Sequence, residues 1–422
     1  MLGACGISCN KSPSPVSPAP PVAVLPNFAS PQMNQSLPGR ESDRASTSLA
    51  TFAGGFANFS TSRAAAIVAL AAFTVVGVDH AQGATWNTDA NGSWGTGSWT
   101  GGTPDAQNAV ADFSTVNITA DRTINLEIGR TVGDLKFGDA TTPNFNWTLS
   151  SSNNSVLNIR KTGGGIATID VVNQTATIGL VMTVTQNTTQ INKLGAGTLI
   201  LSGANTYGVT TTVSAGTLLA NNTSGSATST GAVSVIAGAT LGGNGTIAPG
   251  SGNNISVSGV LAPGAAINTV GTLTFNMTNA GAVTMASGSS FAFNLGLAGT
   301  DITSVGSSDM IALTGAGLAD LVFNGNTINF GGAGTNGYYK LFDTDFGSTT
   351  WSGLTVNGGG VITAGLTISN LAAGKTGTLL VGNGTNGGNA GDIYLSVVPE
   401  PSAALLAGLG SCLLFRRRRN PS

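Results

Sequence analysis

The chain has 422 residues, of which 62 are Gly and only 8% are Asp, Glu, Lys or Arg. Gly is at about twice its usual share, and charged residues are at about a third of theirs. No three-residue Gly period runs through the chain, which excludes collagen, and 41% hydrophobic residues exclude a charged disordered chain. The formal net charge of -2 leaves no basic surplus for nucleic acid. Strong helix formers give way to Gly, Thr, Asn, Ser and Val, so the composition reads as all-β.

Residues 1–62 are a Pro- and Ser-rich leader, with eight of the 15 Pro between Pro13 and Pro38. They show no apolar period and read as disordered. Residues 63–83 read as a secretory signal peptide: Arg63 precedes an apolar run over 64–78, and Ala81-Gln82-Gly83 ends it. That run is too short to span a bilayer, which needs about 20 residues. Small residues place the cleavage between Gly83 and Ala84. The long leader leaves two readings open, a later start at Met33 or a genuine extension.

Residues 84–400 hold 15 acidic and 8 basic residues, a balance of -7. The three Cys stand at 5, 9 and 412, and the single His is His80, so this stretch has neither. Catalytic triads, Cys nucleophiles and zinc sites need those residues. No catalytic, cofactor-binding or metal-ligating residue is assigned, and no cofactor is expected. Residues 84–194 read as an N-terminal cap and first β-coils. The cap, 86–113, holds Trp86, Trp94 and Trp99, which read as packed, with stacking on sugars as the alternative.

Residues 195–290 carry a repeat. The segment 195–220 contains Gly197-Thr198-Leu199, then Gly203-Ala204-Asn205-Thr206-Tyr207, then Gly216-Thr217-Leu218. It resembles the autotransporter-associated β-strand repeat of bacterial surface proteins, with Val209 in place of the usual second Gly after the Tyr. Gly197, Leu199, Gly203, Asn205, Tyr207, Gly216 and Leu218 are its motif residues. Gly238 and Gly259 continue the last part, giving Gly intervals of 19, 22 and 21 residues from Gly197. A period near 20 with short strands predicts a single-stranded, right-handed parallel β-helix. Leu199 and Leu201 should point inward, and corner Gly residues should take positive φ.

Residues 291–381 are a less regular β region, expected to continue the helix or fold back as a small sandwich. Residues 382–397 read as a Gly- and Asn-rich linker. Three features follow in order: Val398-Pro399-Glu400-Pro401, an apolar run over 403–415, and Arg416, Arg417, Arg418 and Arg419. Residues 398–422 resemble the PEP-CTERM sorting signal of Gram-negative bacteria. The resemblance implies a transmembrane helix over 403–415 and removal of the tail by an exosortase-type sorting protease. Independently, the four Arg act as a membrane stop on the cytoplasmic side.

Three weaker motifs read as structural. Asp343 and Asp345 would share a strand face about 7 Å apart, a spacing open to glycoside hydrolysis or calcium, but a polar turn is preferred. Gly387-Gly388-Asn389-Ala390-Gly391-Asp392 half matches a calcium-binding nonapeptide. The G-x-G-x-x-G run from Gly332 to Gly337 has no helix after it. The expected protein is an exported, non-enzymatic structural protein of the cell surface or extracellular matrix. It is held transiently in the membrane by its C-terminal helix. The alternative is an adhesin or glycan-binding module, then a polysaccharide-degrading β-helix enzyme. Expected partners are the secretion translocon, the sorting protease and exopolysaccharide, and no nucleic acid.

Overall fold

A computed structural model describes residues 83–185, 188–266, 268–278, 281–314, 321–332, 334–345 and 351–400. Every described residue lies in one compact unit, within Thr74–Ser422. The described residues hold no helix, and their strands stack mainly as parallel sheets in a β-helix-like pattern. The leader, the apolar part of the signal peptide, the helix expected over 403–415 and the four Arg lie outside the described residues.

Each coil contributes one strand to a first face and one to a second. On the first face, Asp134–Phe137, Gly165–Val171, Thr188–Leu194 and Thr210–Val213 follow one another in parallel. On the second, Thr175–Ile178, Thr198–Leu201, Thr217–Ala220 and Thr240–Gly243 do the same. Successive side chains of a strand point to opposite sides, so in-register stacking puts like upon like. The second face thereby builds one inward column, Trp147, Ala176, Leu199, Leu218, Leu241, Leu261, Phe291 and Ile328. Every member of that column is buried. Burial of such side chains contributes about 1.5–3 kcal/mol each, which makes the columns the main source of stability among the described residues, which include no Cys.

A third face is interrupted. Arg130–Val132, Leu157–Ile159 and Met182–Val184 form one short parallel sheet. Pairing resumes with Thr246–Ile247, Thr272–Asn276, Met310–Thr314 and Gly337–Thr344. Between the two sheets, isolated backbone hydrogen bonds such as Thr206 N–H to Met182 O are joined by polar side chains.

The region 291–381 continues the stack. Asn326–Gly331 and Leu366–Ser369 extend the second face beyond Ser290–Asn294. The stretch 382–397 is not a linker. Ile393–Pro399 is a strand, antiparallel both to Gly337–Thr344 and to Lys375–Val381. Ile393, Tyr394, Leu395 and Val397 are buried, and burial of these apolar side chains outweighs the Gly- and Asn-rich composition before them. Within the preceding loop, Gly382 N–H donates to Asp392 O at 2.8 Å and Gly384 N–H to Gly388 O at 3.0 Å.

Candidate functional site

The repeat residues lie on two successive coils. Leu199 and Leu218 pair directly and are buried, whereas Ile200 between Leu199 and Leu201 faces outward. Gly216 takes φ +63°, as a corner glycine should, and so does Gly238 at +85°. Gly197 and Gly259 have no positive φ. Close approach fixes them instead: a Cβ on Gly197 would meet Gln174 O at 2.4 Å, and one on Gly259 would meet Ala239 O at 2.1 Å. Gly203 is held the same way, against Leu180 O.

Asn205 occupies the gap in the third face. Its Oδ1 accepts from Met182 N–H of the preceding coil at 2.7 Å, and its Nδ2 donates to Ala227 O of the following coil at 2.5 Å. One buried amide thus adds two inter-coil hydrogen bonds to the backbone ones from Thr206 N–H to Met182 O and from Asn205 N–H to Ser226 O. Tyr207 is buried beside it and its hydroxyl shares a 3.0 Å hydrogen bond with Thr211 Oγ1. Burial pushes the Tyr207 phenol above its ordinary range, and Thr211 only partly opposes that.

Trp86 and Trp94 of the cap do not present rings to a ligand, whereas Trp99 is only partly buried. Trp86 and Trp94 are 1% and 0% exposed, and Trp99 packs on Trp86 with ring centres 5.2 Å apart. Their indole N–H groups donate to Thr88 O, Pro104 O and Trp94 O. The apolar rings close over Phe113 at the first coil, and burial leaves no face of Trp86 or Trp94 for a sugar. Gly83 and Ala84 stand in the first strand, Gly83–Trp86, with Ala84 buried.

Asp343 and Asp345 stand in different surroundings. Asp345 lies beyond the end of Gly337–Thr344 and is exposed, while Asp343 Oδ1 meets Lys340 Nζ at 2.9 Å. The carboxylate that matters here is Asp392, which sequence reasoning placed only in a calcium half-motif. It is fully buried, and its Oδ2 meets Lys340 Nζ at 2.8 Å and accepts from Tyr394 Oη at 3.0 Å. Its Oδ1 accepts from Thr344 N–H at 2.9 Å. Burial lowers the Lys340 pKa, but hydrogen bonds to Asp392 and Asp343 outweigh it and hold the ammonium above its ordinary range. The group is a charge-paired lock between strands. Among the described residues, no three His, Cys, Asp or Glu side chains gather to hold a metal ion. The Gly332-to-Gly337 run leads into a strand, so it offers no helix terminus to a phosphate.

Val398 and Pro399 end the strand Ile393–Pro399, opposite Thr376 and Lys375, and Glu400 N–H donates to Gly374 O at 2.8 Å. Pro401 and the residues after it lie outside the described residues. Among the described residues, no helix is long and apolar enough to cross a membrane.

In-register parallel coils with an Asn-stitched seam define a β-helix-like repeat protein. The family model of the passenger-associated transport repeat matches residues 191–220, the stretch that carries Leu199, Asn205, Tyr207 and Leu218. The chain therefore carries a repeat of autotransporter passenger type. No curated protein matches it.

Proposed function

We propose that the protein is an exported, non-enzymatic structural element of the cell surface or extracellular matrix, sorted through its PEP-CTERM tail. The observation that carries this reading is the passenger-type repeat seated on two stacked coils. A solenoid of this kind is an extended scaffold that needs no reactive group to do its work. The sequence features at the two ends supply the route: a signal peptide ahead of Ala84, then Val398-Pro399-Glu400-Pro401, an apolar run and four Arg. The secretion translocon exports the chain, the C-terminal helix holds it in the inner membrane, and an exosortase-type protease releases it to the surface. Exopolysaccharide is the surface partner. Mass spectrometry of the exported form tests the route. Arg416, Arg417, Arg418 and Arg419 retained on all mature protein would sink the sorting step, and a protein confined to the cytoplasm would sink the whole reading.

One observation favours a second reading, an adhesin. Thr175, Thr198, Thr217 and Thr240 stand in direct register on the outward side of the second face. Such a hydroxyl row can hydrogen-bond a polysaccharide laid across the coils. A glycan array separates the readings: binding lost on Thr198→Val with Thr217→Val selects the adhesin, and no binding to any glycan selects the scaffold.

A further inference from the structure

The first residues of the sorting signal are not free of the folded body. Ile393–Pro399 is flanked on both sides for most of its length, but its pairing with Gly337–Thr344 ends at Gly337 opposite Val397. Val398 and Pro399 then have one neighbour only, Thr376 and Lys375 of Lys375–Val381. The ladder closes with the hydrogen bond from Glu400 N–H to Gly374 O. Pro399 brings no N–H, and it stands where one side of the strand has already lost its partner, so it fits without leaving a donor unpaired. Val398 is 48% exposed, so little apolar burial holds this end down.

The geometry points to a latch. Residues 374–376 hold 398–400 in the sheet, and a protease needs the chain it cuts extended and unpaired. We propose that tail removal acts only on molecules in which 398–400 have peeled away from 374–376, so that fraying of this strand end sets the rate of release. The inference rests on the sorting reading above and adds its regulation. The pairing is short and one-sided, so the open form is readily populated. Strand ends of this kind open locally without unfolding the core.

The test uses the full-length chain in cells that carry the sorting protease. Thr376 and Val398 are directly opposed, and the Cα separation of such a hydrogen-bonded pair, about 5.5 Å, lies within the range that a disulfide spans. In the Thr376→Cys, Val398→Cys double variant, oxidation should raise the tail-bearing fraction in the membrane about tenfold or more. Reductant should restore release to the level of the single variants. Thr376→Pro removes the N–H that this strand offers to Val398 and should speed release several-fold. Release of the oxidised double variant at the reduced rate overturns the latch, as does an unchanged rate in Thr376→Pro. A wild-type chain that keeps its tail in the presence of the protease overturns the sorting reading, and the latch falls with it.

Discussion

Lys340 Nζ lies 2.8 Å from Asp392 Oδ2, and the carboxylate it meets is completely shielded from solvent. The pair joins Gly337–Thr344 to the loop that leads into Ile393–Pro399, so it locks the antiparallel end of the third face. Removing one partner of a buried pair strands the other charge. Lys340→Met should therefore lower stability by about 2–4 kcal/mol, somewhat below the cost for a fully buried pair because the Lys340 side chain keeps 18% exposure. Lys340→Met combined with Asp392→Leu should recover part of the loss. Urea unfolding of Lys340→Met, Asp392→Leu and the double variant measures it, and a double variant as unstable as the sum of its parts would rule out the lock.

Asp309 gives a pH dependence of its own. It is fully buried; Oδ1 accepts from Gly271 N–H at 2.9 Å, and Oδ2 accepts from Asn294 N–H at 2.6 Å and Asn294 Nδ2 at 2.8 Å. Burial pushes its pKa up from 3.8 to about 6 against the pull of those donors. The folded state thus holds a proton that the unfolded chain has lost between about pH 4 and 6, and this group's share of stability falls as pH rises through that window. The expected change is about 2–3 kcal/mol. Asp89 works in the opposite sense, since hydrogen bonds from Arg122 and Thr119 hold its pKa near 2 and its contribution is lost in stronger acid. Unfolding midpoints from pH 4 to 7 should fall for the wild type and flatten for Asp309→Asn. Equal slopes in both proteins would show that Asp309 does not titrate in this range.

Asn205 reinforces the seam where the third face has no strand. Asn205→Ala leaves Met182 N–H and Ala227 O buried without partners, at a cost of about 2–4 kcal/mol. Asn205→Asp keeps the acceptor for Met182 N–H but turns an oxygen on the Ala227 carbonyl. Only a protonated carboxyl can donate there, so the Asn205→Asp variant regains its second hydrogen bond in acid. Denaturation at pH 4 and pH 7 separates the two variants, each measured against the wild type at the same pH. The loss in Asn205→Asp should shrink at pH 4, and the loss in Asn205→Ala should not. Equal losses at both pH values in both variants would mean that the side chain does not bridge the coils.

The coil stack was legible in the sequence because stacking repeats a local pattern. Leu199, Leu201 and Leu218 alternate with outward residues, and the Gly interval near 20 marks the coil length. The corner glycines were legible as positions and only partly as causes: Gly216 and Gly238 need positive φ, while Gly197 and Gly259 need the absence of a Cβ. The run Ile393-Tyr394-Leu395 reads as strand-like in the sequence, but its pairing was hidden, because its partners at Gly337 and Lys375 are distant in sequence. Asp392 was hidden for the same reason. A carboxylate shows its role only beside the lysine that meets it, and Lys340 lies on a strand far back in the chain. The packing of Trp86 and Trp94 was legible in the Trp-rich cap, whereas their particular ring contacts with Phe113 were not.

Lys193 breaks the alternation rule from inside. It stands in register between Ile169 and Val213 on the inward side of the first face and is 1% exposed. Its ammonium donates to Leu194 O at 2.7 Å, Gly195 O at 2.8 Å and Ala215 O at 3.1 Å, closing the corner between the two faces. Burial pushes its pKa down to about 8 from 10.5, and the Asp170 carboxylate opposes that only in part. Between about pH 8 and 10 the unfolded chain binds a proton that the folded chain has released, so the contribution of Lys193 to stability rises with pH across that window. The rise is at most about 3 kcal/mol. Lys193→Met removes the titration. At pH 7 its stability should change by no more than about 1 kcal/mol, because relief of a buried charge offsets three lost hydrogen bonds. Between pH 8 and 10 the wild type should gain on the variant in urea unfolding. A constant difference between the two proteins across that range would mean that Lys193 stays charged in the core and that the three carbonyls hold it there.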